Sequence, residues 1–142
     1  ESGTVFFPGC VHTSKINHFI KFTKRSEFAG VLYYLLYSEP TDMRKSYHTL
    51  SGLVTNNMGL NVRNGDVFIF INKARNRVKL LHMEPGGLVI YSKLLEEGRF
   101  RLPSIEQQQG SVKMNWLDLV MMIEGVMDDP STRLRRLKRV NF

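Results

Sequence analysis

Cysteine is almost missing from this chain: Cys10 stands alone among 142 residues. A lone thiol excludes an intramolecular disulfide framework and fits a reducing, cytoplasmic setting. Long apolar runs are missing too. Nothing approaches the roughly 18–20 apolar residues that cross a bilayer as a helix, so no membrane partner is expected. The four histidines are scattered, and with one cysteine they form none of the usual ligand spacings. No metal and no cofactor is therefore expected. The chain has no Gly-x-x-x-x-Gly-Lys phosphate loop, and neither Ser46 nor Ser51 sits in a Gly-x-Ser-x-Gly setting, which argues against ATP use and serine-hydrolase chemistry. Helix–turn–helix and zinc-finger patterns, which would read bases, are absent as well.

What is present is apolar mass and positive charge. Hydrophobic residues make up 42% of the chain and aromatics 11%, enough to bury a core in one domain of this length. Twenty Lys and Arg against thirteen Asp and Glu give a net charge of +7. The charge is uneven. Residues 131–142 hold Arg133, Arg135, Arg136, Lys138 and Arg139 and no acid. Such a tail is suited to phosphates, acidic lipid or an acidic protein surface.

Turn signals and periodicity divide the chain into a leader (1–30), an α+β domain (31–127) and the basic tail (128–142). The leader, with Phe19, Ile20 and Phe22 among lysines, reads as loosely ordered or non-native sequence. VLYYLLY (31–37) reads as a buried strand. Pro40, Thr41 and Asp42 open a helix whose stripe is Met43, Tyr47, Leu50 and Val54, with Thr41 or Asp42 as its cap. Arg44 and Lys45 then fall in the first turn, against the helix dipole. Asn56-Asn57-Met58-Gly59 stops that helix, and Asn64-Gly65-Asp66 turns into VFIFIN (67–72). That run is apolar on both faces and predicts a central strand covered on both sides. RVKLLHME (77–84) and LVIYSKLL (88–95) follow across short turns, giving a three-stranded antiparallel meander. Val112–Met114 predicts a last short strand, and Asn115 caps a Met-rich helix from Trp116 to Met127. The expected fold is α+β: a single domain with an antiparallel sheet of four or five strands and two main helices on one face.

Asp42, Asp66, Asp118 and Glu124 are the acids that a metal-dependent nuclease would need, but each has an ordinary place at a cap, a turn or a helix face. The stronger chemistry is cationic. Lys73, Arg75, Arg77 and Lys79 alternate around the first hairpin turn, and alternate residues of an extended chain share a side. Arg99 and Arg101, flanking Phe100, extend that group, with Phe100 itself assigned to the core. Contacts of this kind hold phosphates without reading sequence.

Four stretches carry a resemblance: PTDMRKSYHTLSGLV (40–54), GDVFIFINKARNRVKLL (65–81), GGLVIYSKLLEEGRFRLP (86–103) and WLDLVMMIEG (116–125). In this order they resemble the accessory protein TnpB, the second-open-reading-frame protein of IS-sixty-six-type bacterial insertion sequences. That family is distinct from the RNA-guided nuclease of the same name. Asp42, Arg44, Lys45, Lys79, Lys93, Glu96, Gly98, Arg99 and Phe100 match its motifs. Leu81-His82-Met83-Glu84 departs from an aromatic-rich segment, and Lys93-Leu94-Leu95-Glu96 lacks the family's arginine. The resemblance implies a non-catalytic accessory factor for transposition, whose partners are DNA and the transposase encoded by the same element. A purely protein-binding adaptor of the transposase is the alternative, and a metal-dependent nuclease a third reading. The two-faced strand and the Met-rich helix leave room for a homodimer.

Overall fold

In the computed structural model the described residues are 10–11, 33–102 and 110–124. The leader, apart from Cys10–Val11, and the basic tail lie outside them. The elements in chain order are β1 (Cys10–Val11), β2 (Tyr34–Tyr37), α1 (Tyr47–Asn56), a 3₁₀ turn (Val62–Asn64), β3 (Val67–Ile71), β4 (Arg77–Glu84), β5 (Gly87–Leu94), β6 (Ser111–Met114) and α2 (Trp116–Glu124). The sheet order is β1-β5-β4-β3-β2-β6, which puts β3 in the middle as its composition demands. All five of its residues are buried. The β3–β4–β5 meander is antiparallel throughout, with Phe68 opposite Leu81 and Leu81 opposite Ile90.

Two expectations are corrected. The sheet is mixed: β2 runs parallel to β3, with Leu35 beside Phe68, and β6 returns antiparallel to β2. Joining two parallel neighbours requires a crossover, and the segment that carries α1 supplies it. The helices also lie on opposite faces. Val67, Ile69 and Ile71 cluster with Leu119, Met122 and Ile123 of α2. Phe68 and Phe70 cluster with Leu50 and Val54 of α1. Successive residues of a strand point to opposite faces, so an all-apolar β3 serves two cores at once. Each large apolar side chain buried this way contributes about 1.5–3 kcal/mol.

A third correction concerns where α1 begins. Ser46, in extended conformation, is its N-cap, and its backbone N–H donates to Thr49 Oγ1 at 3.0 Å. Thr41, Asp42, Arg44 and Lys45 therefore precede the helix, and no Lys, Arg, Asp or Glu lies in its first turn. The expected conflict with the helix dipole does not arise. At the other end α1 stops at Asn56, and Gly59 takes a left-handed φ of 68°. Asn115 caps α2 as expected, its Oδ1 accepting from the Asp118 N–H at 2.7 Å. Among the described residues no helix is long and apolar enough to cross a membrane.

Candidate nucleic-acid interface

The first hairpin, between β3 and β4, is closed by asparagine rather than glycine. Asn72 Oδ1 accepts from the backbone N–H of Asn76 and of Arg77, each at 3.0 Å, and its amide donates to Asn76 Oδ1 at 2.7 Å. The Arg75 N–H donates to Asn72 O, making a tight turn with Lys73 and Ala74 at its centre. Arg75 then takes a φ of 58°, in the left-handed region that glycine and asparagine enter far more readily. Lys73, Arg75 and Arg77 are all exposed. Among the described residues no carboxylate pairs with any of the three.

Two other segments are bound to this hairpin. The Thr41 N–H donates to Ile71 O at 2.9 Å, which fixes the loop before α1 against the end of β3. On the far side, the N–H groups of Leu95 and Phe100 donate to Asn76 O and Arg75 O, at 2.7 and 2.6 Å. Residues distant in sequence therefore meet at one end of the sheet: Arg44 and Lys45, then Lys73, Arg75 and Arg77, then Arg99 and Arg101. Across 39–45, 73–79 and 96–101, eight Lys and Arg face four Asp and Glu. This end carries +4 of the +7; residues 131–142 carry +5, and the remainder of the chain is slightly acidic. The positive end of the α1 dipole lies here as well.

The cations are not equivalent. Arg44 is almost fully exposed, with 91% of its side chain accessible, yet it pairs with Asp42 at 2.7 Å. Asp42 also accepts the Arg44 backbone N–H at 2.9 Å, forming a local turn in place of the expected helix cap. The Arg44 side chain, and then its backbone N–H, hold the Asp42 carboxyl down to about 2. Lys79 is partly buried: its Nζ donates to Met43 O and to Lys45 O, both at 2.7 Å. It holds the rim together instead of standing free on it. Lys93 plays a similar part on the opposite face, donating to Ile123 O in the last turn of α2, where a cation suits the helix dipole. Phe100 is in the core, 1% exposed, while Gly98 takes a φ of 80° beside exposed Glu96.

Between the hairpin and the loop before α1 lies an open cleft of roughly 440 Å³, lined by Pro40, Thr41, Asp42, Met43, Asn72, Lys73 and Ala74. Sequence reasoning assigned Thr41 to a helix cap and Asn72 to the end of a strand, not to this cleft, although an asparagine ahead of a tight turn is a known signal. The acids considered for a nuclease do not converge. Asp42 faces Arg44, Asp66 accepts the Tyr33 N–H, and Asp118 and Glu124 are exposed on α2. Among the described residues no group of three or more His, Cys, Asp or Glu is placed to hold a metal ion. The tail cations Arg133, Arg135, Arg136, Lys138 and Arg139 lie outside the described residues.

No solved structure matches this chain significantly. Two uncharacterized proteins of Sinorhizobium fredii are similar to it. The protein y4jC is 25% identical over 89 residues, covering 63% of this chain and 74% of its own length. The protein y4hO is 28% identical over 86 residues, covering 61% and 73%. Residues 32–132 match the family described as IS66 Orf2 like protein. That span takes in every described element except β1 and includes all three segments of the basic rim. The chain belongs to the IS66 Orf2 like family.

Proposed function

We propose that this protein is a non-catalytic accessory factor for transposition of an insertion sequence, and that it holds DNA by its phosphates. The observation that carries this reading is the basic rim. Three segments separated by up to 57 residues, from Arg44 to Arg101, are hydrogen-bonded into one end of the sheet and carry a net +4, Lys79 included. Lys73, Arg75 and Arg77 sit at its apex, with Arg44, Lys45, Arg99 and Arg101 on either side; the cations of residues 131–142 add further phosphate contacts. The rim offers no aromatic platform and no helix shaped to lie in a groove, so binding by it is independent of sequence. End selection then belongs to the transposase.

Fluorescence anisotropy with element-end DNA and scrambled DNA across a salt series tests this. Equal affinities with steep salt dependence are expected, each neutralised phosphate adding about 0.9 to the log–log slope. Absence of binding at low salt would overturn the reading.

One observation favours a protein partner instead. Leu94, directly opposite Arg77 in the ladder, is 55% exposed beside the cations. An apolar residue bordered by positive charge suits an acidic surface of the transposase. Under that reading, removing residues 131–142 leaves transposase capture intact, whereas a DNA binder loses affinity and salt slope together.

A further inference from the structure

We propose that Lys79 is the positioning residue of the rim: it presents Arg44 and Lys45 to phosphate and does not itself touch the nucleic acid. This rests on the phosphate-binding reading of the same site. The geometry is specific. Lys79 projects from β4 on the α1 face of the sheet, opposite Phe70 on one side and Ser92 on the other. Its ammonium donates to two carbonyls that bracket Arg44, Met43 O and Lys45 O, each at 2.7 Å. These bonds span 36 and 34 residues of sequence, so they fix the loop to the sheet and not to itself.

The flanking side chains of Met43 and Lys45 are half-buried, while that of Arg44 is turned outward. Other bonds of the loop are Thr41 N–H to Ile71 O before the clamp, and Lys45 N–H to Asp42 O and Arg44 N–H to Asp42 Oδ1 within it. Only the first of these also reaches the sheet. A compact ammonium on a long stem satisfies two carbonyls from one point, and its charge strengthens both bonds. With its donors committed to carbonyls, Lys79 is a poor phosphate ligand although its spacing groups it with Arg77. The family-motif match at this position thus gains a physical role: a cation spent inside the protein so that Arg44 is held outside, with half-buried Lys45 beside it at the rim.

The test compares Lys79→Met, which keeps the stem and removes the donors, with Lys79→Arg, which keeps donors. In the free protein, amide hydrogen exchange is followed across residues 42–46. In Lys79→Met the Lys45 amide is expected to exchange at least about tenfold faster, while Ile69 and Leu81 in the central ladder keep their protection. Lys79→Arg is expected to restore slow exchange. An unchanged loop in Lys79→Met overturns the clamp, whatever the DNA result.

In the DNA arm, Lys79→Met is expected to lower the salt slope by about two phosphate contacts, as an Arg44→Ala/Lys45→Ala variant does. Combining all three substitutions should cost no more than either alone. A slope loss of about one contact that adds to the Arg44/Lys45 loss would make Lys79 a direct phosphate ligand and overturn the proposal. If wild-type protein binds no DNA, the phosphate reading of the rim falls, and the exchange arm alone decides the clamp.

Discussion

The two ends of the sheet are built on opposite plans. At the turn between β4 and β5 the polar groups face inward and meet partners in the chain. His82, 8% exposed, holds Gly65 O through Nε2 at 3.0 Å. Glu84 accepts the Tyr91 hydroxyl, and Asp66 accepts the Tyr33 N–H. Burial, reinforced by the bond to Glu84, pushes the Tyr91 phenol well above its ordinary range. At the turn between β3 and β4 the backbone is hydrogen-bonded too, but the Lys73, Arg75 and Arg77 side chains are exposed. A hairpin turn therefore serves stability at one end and presentation at the other. A polar group enclosed by the chain contributes to folding, whereas an exposed cation contributes little until something negative arrives.

The largest expected effect breaks the rim alone. Replacing Lys73, Arg75 and Arg77 together by alanine should weaken DNA binding about a hundredfold near physiological salt and remove about 2.7 from the salt slope. The melting temperature should stay close to wild type, as calorimetry would show. Next comes the opposite end. Tyr91→Phe leaves the half-buried Glu84 without its hydroxyl donor and should cost about 1 kcal/mol in urea unfolding, with DNA affinity unchanged. A binding defect in Tyr91→Phe would mean that the ends are coupled and the comparison is wrong.

Arg75→Gly sharpens the contrast within one residue. Glycine adopts the left-handed conformation at position 75 without a Cβ clash, so the variant should gain about 0.5–1 kcal/mol of stability. It should nevertheless lose about fivefold in affinity, the share of one phosphate contact. Stability and binding moving in opposite directions at one position would mark the rim as built for a partner.

The smallest effect belongs to Asp42→Asn. Losing the carboxylate releases Arg44 and should tighten DNA binding about two- to fivefold. It should also remove a small acid dependence of stability. Asp42 ionises at about 2 in the fold against an ordinary 3.8, so its contribution is complete above the ordinary value and fades as pH falls towards 2. Acid titration of the wild type and the variant would show the difference confined to that window.

Much of the fold was legible because the signals were local. The meander follows from apolar runs of strand length separated by Asn-Gly, Lys-Ala-Arg and Pro-Gly-Gly turns. The central position of β3 follows from Val67–Ile71 having no polar face. That same uniformity hid which helix covers which side, since an apolar residue on either face accepts either helix. The parallel pairing of β2 with β3 had a signal in the strand–helix–strand order, which outweighs the antiparallel habit of the later strands. The start of α1 was misplaced because Thr41, Asp42 and Ser46 are all competent caps, and tertiary bonds from Thr41 to Ile71 and from Lys79 to the loop decide among them. The rim was half legible. Spacing placed Lys73, Arg75, Arg77 and Lys79 around one hairpin turn but could not tell Lys79, whose ammonium turns inward, from its outward neighbours.

The parallel pairing has a consequence for how the molecule is acquired. β3, β4 and β5 join through connections of a few residues, so their ladders close at little entropic cost. β2 must wait for residues 38–66 to be arranged, and β6 pairs with β2 from more than seventy residues away. Closing longer loops costs more before contacts repay it. The meander is thus the natural folding nucleus, with Ile69→Val and Leu81→Ala expected to slow folding and Val112→Ala expected mainly to speed unfolding. The hairpin that carries Lys73, Arg75 and Arg77 takes shape early. Arg44 and Lys45 join it only when the crossover docks, which makes the complete rim a late product of folding.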